Sequence, residues 1–167
     1  MKHPQLFLLC VDDEPEVLEA VENTVAVFEK TFSIETAESA AEARRIIADY
    51  HQRNCQLALI LCDHIMPNEN GVELLKDLAE DPRTRLSRKI LLTGQAGLDA
   101  TVDAVNHARL DHYLAKPWDA TKLIEVVRQQ LTNYVIAANL DPMPFLSTLD
   151  TERLSEFIRS RGNVTDR

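Results

Sequence analysis

No apolar run in this 167-residue chain approaches the roughly 20 residues that a membrane-spanning helix requires. No small-residue cleavage site follows Met1-Lys2-His3-Pro4-Gln5, so no secretory leader is expected. Cysteine is sparse: three residues, an odd number without metal-ligand spacing, which argues against a disulfide framework and fits a reducing, cytoplasmic location. Cations are in deficit, with 18 Lys+Arg against 27 Asp+Glu and a net charge of −9. A surface that neutralises nucleic-acid phosphates is therefore not expected. Sequence repeats and low-complexity segments are also missing. What remains is a chain with 45% hydrophobic residues, long enough to bury a core without a disulfide or metal staple. Its length suits one domain with an appendage.

Two uninterrupted apolar runs, Leu6–Val11 and Leu57–Cys62, each stop at an aspartate. Short runs of this kind read as strands buried on both faces. Between them, Pro15 to about Phe28 has helical spacing, with Val17, Leu18, Val21, Val25 and Phe28 on one side. Phe32, Ile34 and Thr36 alternate as a strand, and Ser39 with Glu42 forms a capping box opening a helix to about Tyr50. Beyond Asp63 come a helix over Asn70–Glu80, a strand over Lys89–Thr93 and a helix over Leu98–Ala108. A short strand, His112–Ala115, and a long helix from near Asp119 complete the series. Short buried strands alternating with amphipathic helices predict an α/β fold, a doubly wound five-stranded parallel sheet covered on both faces. After Val135 the pattern changes: Asp141, Pro142 and Pro144 break the helix, and Thr151–Ser160 forms another, capped by Asp150 and closed at Gly162. The expected division is 5–135 for the α/β domain and 136–167 for a linker and short C-terminal helix. That helix presents Leu149, Leu154, Phe157 and Ile158 to the main domain, a second copy or a downstream region.

In such a sheet, functional residues gather where strands end and helices begin. Those ends carry Asp12, Asp13, Glu14, Asp63, Thr93 and Lys116. Clustered carboxylates repel one another unless a cation lies among them, and an all-oxygen set favours Mg²⁺. A hydroxyl and an ammonium at the same rim add donors for a dianion. The combination is a site for a phosphoryl group beside a magnesium ion.

Val11-Asp12-Asp13-Glu14-Pro15, Asp63-His64-Ile65-Met66-Pro67 with Gly71, Leu92-Thr93-Gly94 and Tyr113-Leu114-Ala115-Lys116-Pro117 together resemble the receiver domain of bacterial two-component response regulators. The resemblance covers about Gln5 to Tyr134. It implies a flavodoxin-like strand order 2-1-3-4-5 and a phosphoacceptor switch rather than an enzyme, with at most slow self-catalysed phosphotransfer and dephosphorylation. By the same resemblance, Asp63 accepts the phosphoryl group from a sensor histidine kinase or phosphotransfer protein. Asp12, Asp13, Asp63 and the Ile65 backbone carbonyl hold Mg²⁺. Lys116 and Thr93 contact phosphoryl oxygens, Thr93 and Tyr113 form the switch, and Lys116–Pro117 is a cis peptide. The responding surface comprises the helix expected over 98–108, the strand 112–115 and the following long helix.

Two positions depart from the common family pattern: His64 follows the phosphoacceptor and Glu69 lies six residues beyond it. Each is either a tuning group or a solvated loop residue. Cys10 and Cys62 are expected in the core, Cys62 bordering the site, and Trp118 is an anchor or a packing residue. Two other functions on a similar sheet are disfavoured by particular residues. An aspartate-nucleophile phosphatase of the haloacid-dehalogenase type wants an aspartate where Ile65 stands. A flavodoxin-like FMN protein wants a hydroxyl-rich phosphate loop where Asp12-Asp13-Glu14 stand. No basic helix-turn-helix follows, so output is expected through partner proteins or a further domain, without direct DNA binding. Leu123, Val127, Leu131, Tyr134 and Val135 on the long helix, with the tail, are expected to support a homodimer.

Overall fold

The computed structural model describes residues 5–94 and 108–165. Five parallel strands, β1 (Gln5–Val11), β2 (Ser33–Ala37), β3 (Cys55–Asp63), β4 (Arg88–Thr93) and β5 (His112–Ala115), lie in the order β2-β1-β3-β4-β5. The helices are α1 (Pro15–Val25), α2 (Ala40–Gln52), α3 (Gly71–Glu80), α4 (Ala120–Ala137) and α5 (Thr151–Thr165). The helix expected over Leu98–Ala108 falls outside the described residues, apart from Ala108. No described helix is long and apolar enough to cross a membrane.

β1 and β3 carry continuous apolar runs because alternate side chains feed two separate layers. Leu6, Leu8 and Cys10 of β1 pack with Leu18 and Val21 of α1 and with Leu123, Val127 and Leu131 of α4. Phe7, Leu9 and Val11 pack on the opposite side with Ala43 and Ile47 of α2 and Leu74, Leu75 and Leu78 of α3. The inner strand β1 is thus clamped from above and below. The strand order reverses between β1 and β3, so the carboxyl ends of these two strands border the crevice where such sheets bind ligands.

The helix starts on that edge are built from short polar side chains. Pro15 opens α1, and the Asp12 carboxylate accepts the Glu14 N–H at 2.9 Å. Ser39 accepts the Glu42 N–H at 3.1 Å, while the Glu42 carboxylate returns to the N–H of Glu38 at 2.9 Å. Asn70 and Asp119 cap α3 and α4.

The tail folds back on the domain. Phe145, Leu149 and Leu154 are buried in the α1–α4 layer, with Phe145 stacked on Phe32 at 5.7 Å between ring centroids. Polar contacts bind the same segment to α4: Arg153 donates to Gln129 and Asn133 at 2.8 and 2.6 Å, and Gln129 donates to Asp150 at 3.0 Å. Two expectations change here. Leu123, Val127, Leu131, Tyr134 and Val135 are buried inside this one chain, so the stripe assigned to pairing of two copies is already covered by β-strand and tail side chains. Also, α5 does not close at Gly162 but continues to Thr165. A glycine in a helix lowers its stability without ending it when no left-handed turn follows.

Candidate functional site

The edge formed by the carboxyl ends of β1, β3 and β4 collects the charged residues. Asp12 follows β1 directly and is held there by its N–H donating to the Ala37 carbonyl of β2 at 3.1 Å. Asp63 is the last residue of β3 and Thr93 the last of β4, and both are buried. Lys116 follows β5, its N–H donates to the Thr93 carbonyl at 2.6 Å, and its peptide bond to Pro117 is cis. Its ammonium donates to Asp12 at 2.8 Å and to Asp63 at 2.9 Å.

One carboxylate oxygen from each of Asp12, Asp13 and Asp63 lies within 4.8 Å of the others. Asp12 and Asp63 are buried and Asp13 is half-exposed. Burial raises the Asp63 pKa above the usual carboxylate range. The Lys116 hydrogen bond opposes that rise, and the neighbouring Asp12 and Asp13 charges add to it. Burial disfavours the Lys116 ammonium, but its hydrogen bonds to Asp12 and Asp63 and their charges outweigh burial and raise its pKa. Asp12 and Asp63 thus share the Lys116 ammonium, with Asp13 beside them. A compact donor set made only of carboxylate oxygens, with charge left over after that cation is counted, fits a hard divalent ion such as Mg²⁺.

The loop from His64 to Asn70 forms the next wall. Its base closes through the Gly71 N–H donating to the His64 carbonyl at 2.8 Å. A Cβ on Gly71 would overlap the Asp63 carbonyl oxygen and crowd Cys62 Sγ, so α3 can begin this close to β3 only with glycine at that position. The Ile65 side chain points to solvent. His64 Nδ1 is buried without a hydrogen-bond partner among the described residues. Glu69 is neither a free loop acid nor a member of the acid cluster: it pairs with Arg44 of α2, which also binds Asp77 of α3 at 2.7 Å. Arg44 escapes notice in the sequence, where it is one of two adjacent arginines on an Ala-rich helix.

Tyr113 lies on β5 opposite Leu91, with 51% of its surface exposed. Trp118 packs at the margin of the α1–α4 layer. Cys10 and Cys62 are core residues. Burial pushes the Cys10 thiol up to about 12 and raises that of Cys62, so neither supplies a thiolate near neutrality.

Similarity to known proteins follows the same segment. The hydrogenase transcriptional regulatory protein HoxA of Cupriavidus necator is 33% identical over 129 residues, 77% of this chain and 25% of that protein. Response regulator Rre1 of Synechocystis is 33% identical over 126 residues, 74% of this chain and 51% of that protein. The chain therefore matches a quarter to about half the length of these curated relatives. Among solved structures, a CheY-like response regulator receiver domain protein from Methanospirillum hungatei superposes with a TM-score of 0.66 and 27% identity, over 78% of this chain and 95% of that one. Residues 8–128 match the response regulator receiver domain, and the chain belongs to that family.

Proposed function

We propose that this receiver accepts a phosphoryl group on Asp63 from a phosphohistidine of a sensor kinase or phosphotransfer protein. The observation that carries this reading is the Lys116 ammonium suspended between Asp12 and Asp63, beside Asp13, at the carboxyl edge of the sheet. An Asp63 carboxylate oxygen attacks phosphorus. The new O–P bond forms as the P–N bond breaks, and the electron pair leaves with the imidazole nitrogen. The transition state spreads charge over the phosphoryl oxygens, so placement and positive charge supply most of the stabilisation. Lys116 follows the charge from the Asp63 oxygen to a phosphoryl oxygen, and the Thr93 hydroxyl donates to another. Asp12, Asp13 and Asp63, with the Ile65 carbonyl, would hold Mg²⁺, which when bound offsets the charge of carboxylates and phosphoryl oxygens. Loss of the phosphoryl group is the same displacement with water as nucleophile. It regenerates the Asp63 carboxylate and releases inorganic phosphate, and it is the slow self-catalysed step of a switch rather than enzyme turnover.

The added charge, about 1.5–2 units, gives Thr93 an acceptor and draws it inward. Tyr113 then turns from solvent toward the space beside Thr93, reshaping the surface around β5 and the start of α4. Both arrangements exist beforehand, and phosphorylation shifts their populations. We assign output to a protein partner or further domain that reads this surface, without direct nucleic-acid contact, in the cytoplasm.

The test uses acetyl phosphate as donor. With Mg²⁺, the intact mass should rise by one phosphoryl group, reversed on standing and prevented by a chelator. Asp63→Asn should remain unmodified. Equal labelling of Asp63→Asn at that position would sink the assignment.

A further inference from the structure

We propose that Arg44 is a positioning residue for the phosphorylation site, acting through Glu69 on the loop that carries the Ile65 carbonyl. This rests on the reading of Asp63 and its neighbours given above. The loop leaves β3 at Asp63 and enters α3 at Gly71. Backbone hydrogen bonds fix its two ends: His64 donates to Leu92 of β4 at 3.1 Å, and Gly71 donates to His64 at 2.8 Å. Its far side is a tight turn in which Glu69 donates to Pro67 at 2.9 Å and Asn68 takes a left-handed conformation with φ of 72°. Asparagine tolerates that region better than most residues, but the turn is not a conformation the chain would hold unaided.

Support comes from α2. One guanidinium nitrogen of Arg44 bonds both the Glu69 carboxylate in the loop and the Asp77 carboxylate on α3. Arg44 and Glu69 are only 37% and 27% exposed, and one cation shared by two acids on separate elements constrains geometry more than an isolated surface pair does. Arg44 thus holds the turn in place between α2 and α3.

Charge and position predict opposite signs. Removing a cation near three acids should, by charge alone, tighten Mg²⁺ binding. Removing the tether should weaken it, because the loop carbonyl loses its fixed place. The experiment is a Mg²⁺ titration of the full chain, read by melting temperature and by Trp118 fluorescence. It is run on wild type, Arg44→Met, Arg44→Lys, Glu69→Gln, the Arg44→Met/Glu69→Gln pair, and Arg53→Met as a control from the end of the same helix.

Arg44→Met should weaken Mg²⁺ binding about 3- to 10-fold, at or below the lower end found for residues that orient metal ligands. Arg44→Lys should recover part of the loss, since an ammonium can meet one carboxylate as a point charge. Added to Glu69→Gln, Arg44→Met should cost little more, and Arg53→Met should bind as wild type. Without metal, hydrogen exchange at the amides of 64–71 should be faster in Arg44→Met than in wild type. Unchanged or tighter Mg²⁺ binding by Arg44→Met overturns the proposal, as does an undiminished effect in the Glu69→Gln background. If wild type itself shows no saturable Mg²⁺ response, the reading of the site falls and this inference with it. If wild type binds Mg²⁺ and is phosphorylated on Asp63 while Arg44→Met binds equally well, the inference about Arg44 alone falls.

Discussion

Leu154 offers the sharpest test of how the tail relates to the rest of the molecule. It lies near the start of α5, is 0% exposed, and belongs to the layer that contains Phe32, Leu131 and Phe145. Leu154→Ala deletes most of a buried side chain whose transfer from water contributes about 1.5–3 kcal/mol. The strands and α4 beneath it are held by their own packing and close the resulting cavity only in part, which brings the expected cost to about 2–5 kcal/mol. For a chain of this size each kcal/mol lowers the melting temperature by about 2–4 °C, so a loss of about 3 kcal/mol appears as a drop of about 6–12 °C. The assay is thermal and urea unfolding followed by circular dichroism, with a single transition expected. Phe157→Ala, at a half-buried position one turn further on, is the matched control and should cost clearly less. If Leu154→Ala changed stability by no more than about 0.5 kcal/mol, the value for a surface substitution, the tail would not be part of the folded core.

Other outcomes follow from the site and its surroundings. Asp63 has a raised pKa in the folded state, so its ionisation costs stability as pH rises from the ordinary carboxylate value of about 3.9 through the folded one. Asp63→Asn should therefore gain stability over wild type across that rise in metal-free buffer, and parallel pH–stability curves for the two would refute the argument. His51 has the opposite sign: both ring nitrogens are buried without hydrogen-bond partners among the described residues, and burial, then the Arg83 charge, lowers its pKa. Stability should be full above about pH 6.5 and decline as pH falls through the folded value, a dependence that His51→Leu should reduce in urea titrations. Mg²⁺ at about ten times its dissociation constant should stabilise the chain by about 1.4 kcal/mol, read as a melting shift of about 3–6 °C, and Asp13→Ala should lose most of that shift. Gly71→Ala should cost about 1–3 kcal/mol by overpacking against Asp63 and should slow labelling by acetyl phosphate; normal labelling would show that the β3–α3 contact can relax freely.

The strands and the acid cluster were legible in the sequence for one physical reason. A strand buried on both faces admits no polar residue until it emerges, so the first aspartate after Leu6–Val11 and after Leu57–Cys62 marks the rim directly. Capping chemistry is equally local, and Ser39, Asn70 and Asp119 could be read as helix starts from their neighbours alone. The Arg44–Glu69 pair could not, because it joins residues 25 apart whose meeting depends on how α2 packs beside α3. The tail shows the same limit. Periodicity identified the apolar face of α5 but not the surface it covers, and the stripe on α4 read as free because the strands and tail that bury it lie elsewhere in the chain.

The two-sided clamping of β1 sets how the acid cluster responds to its own repulsion. Residues up to Val11 alternate between opposed layers, so the backbone carrying Asp12 and Asp13 cannot drift away from Asp63 without separating both layers at once. Repulsion at the rim therefore has no small local opening through which to relax. It is transmitted to the cooperative unit as a whole, and filling of the proposed ion site should become legible in the slowest-exchanging amides at the centre of the sheet.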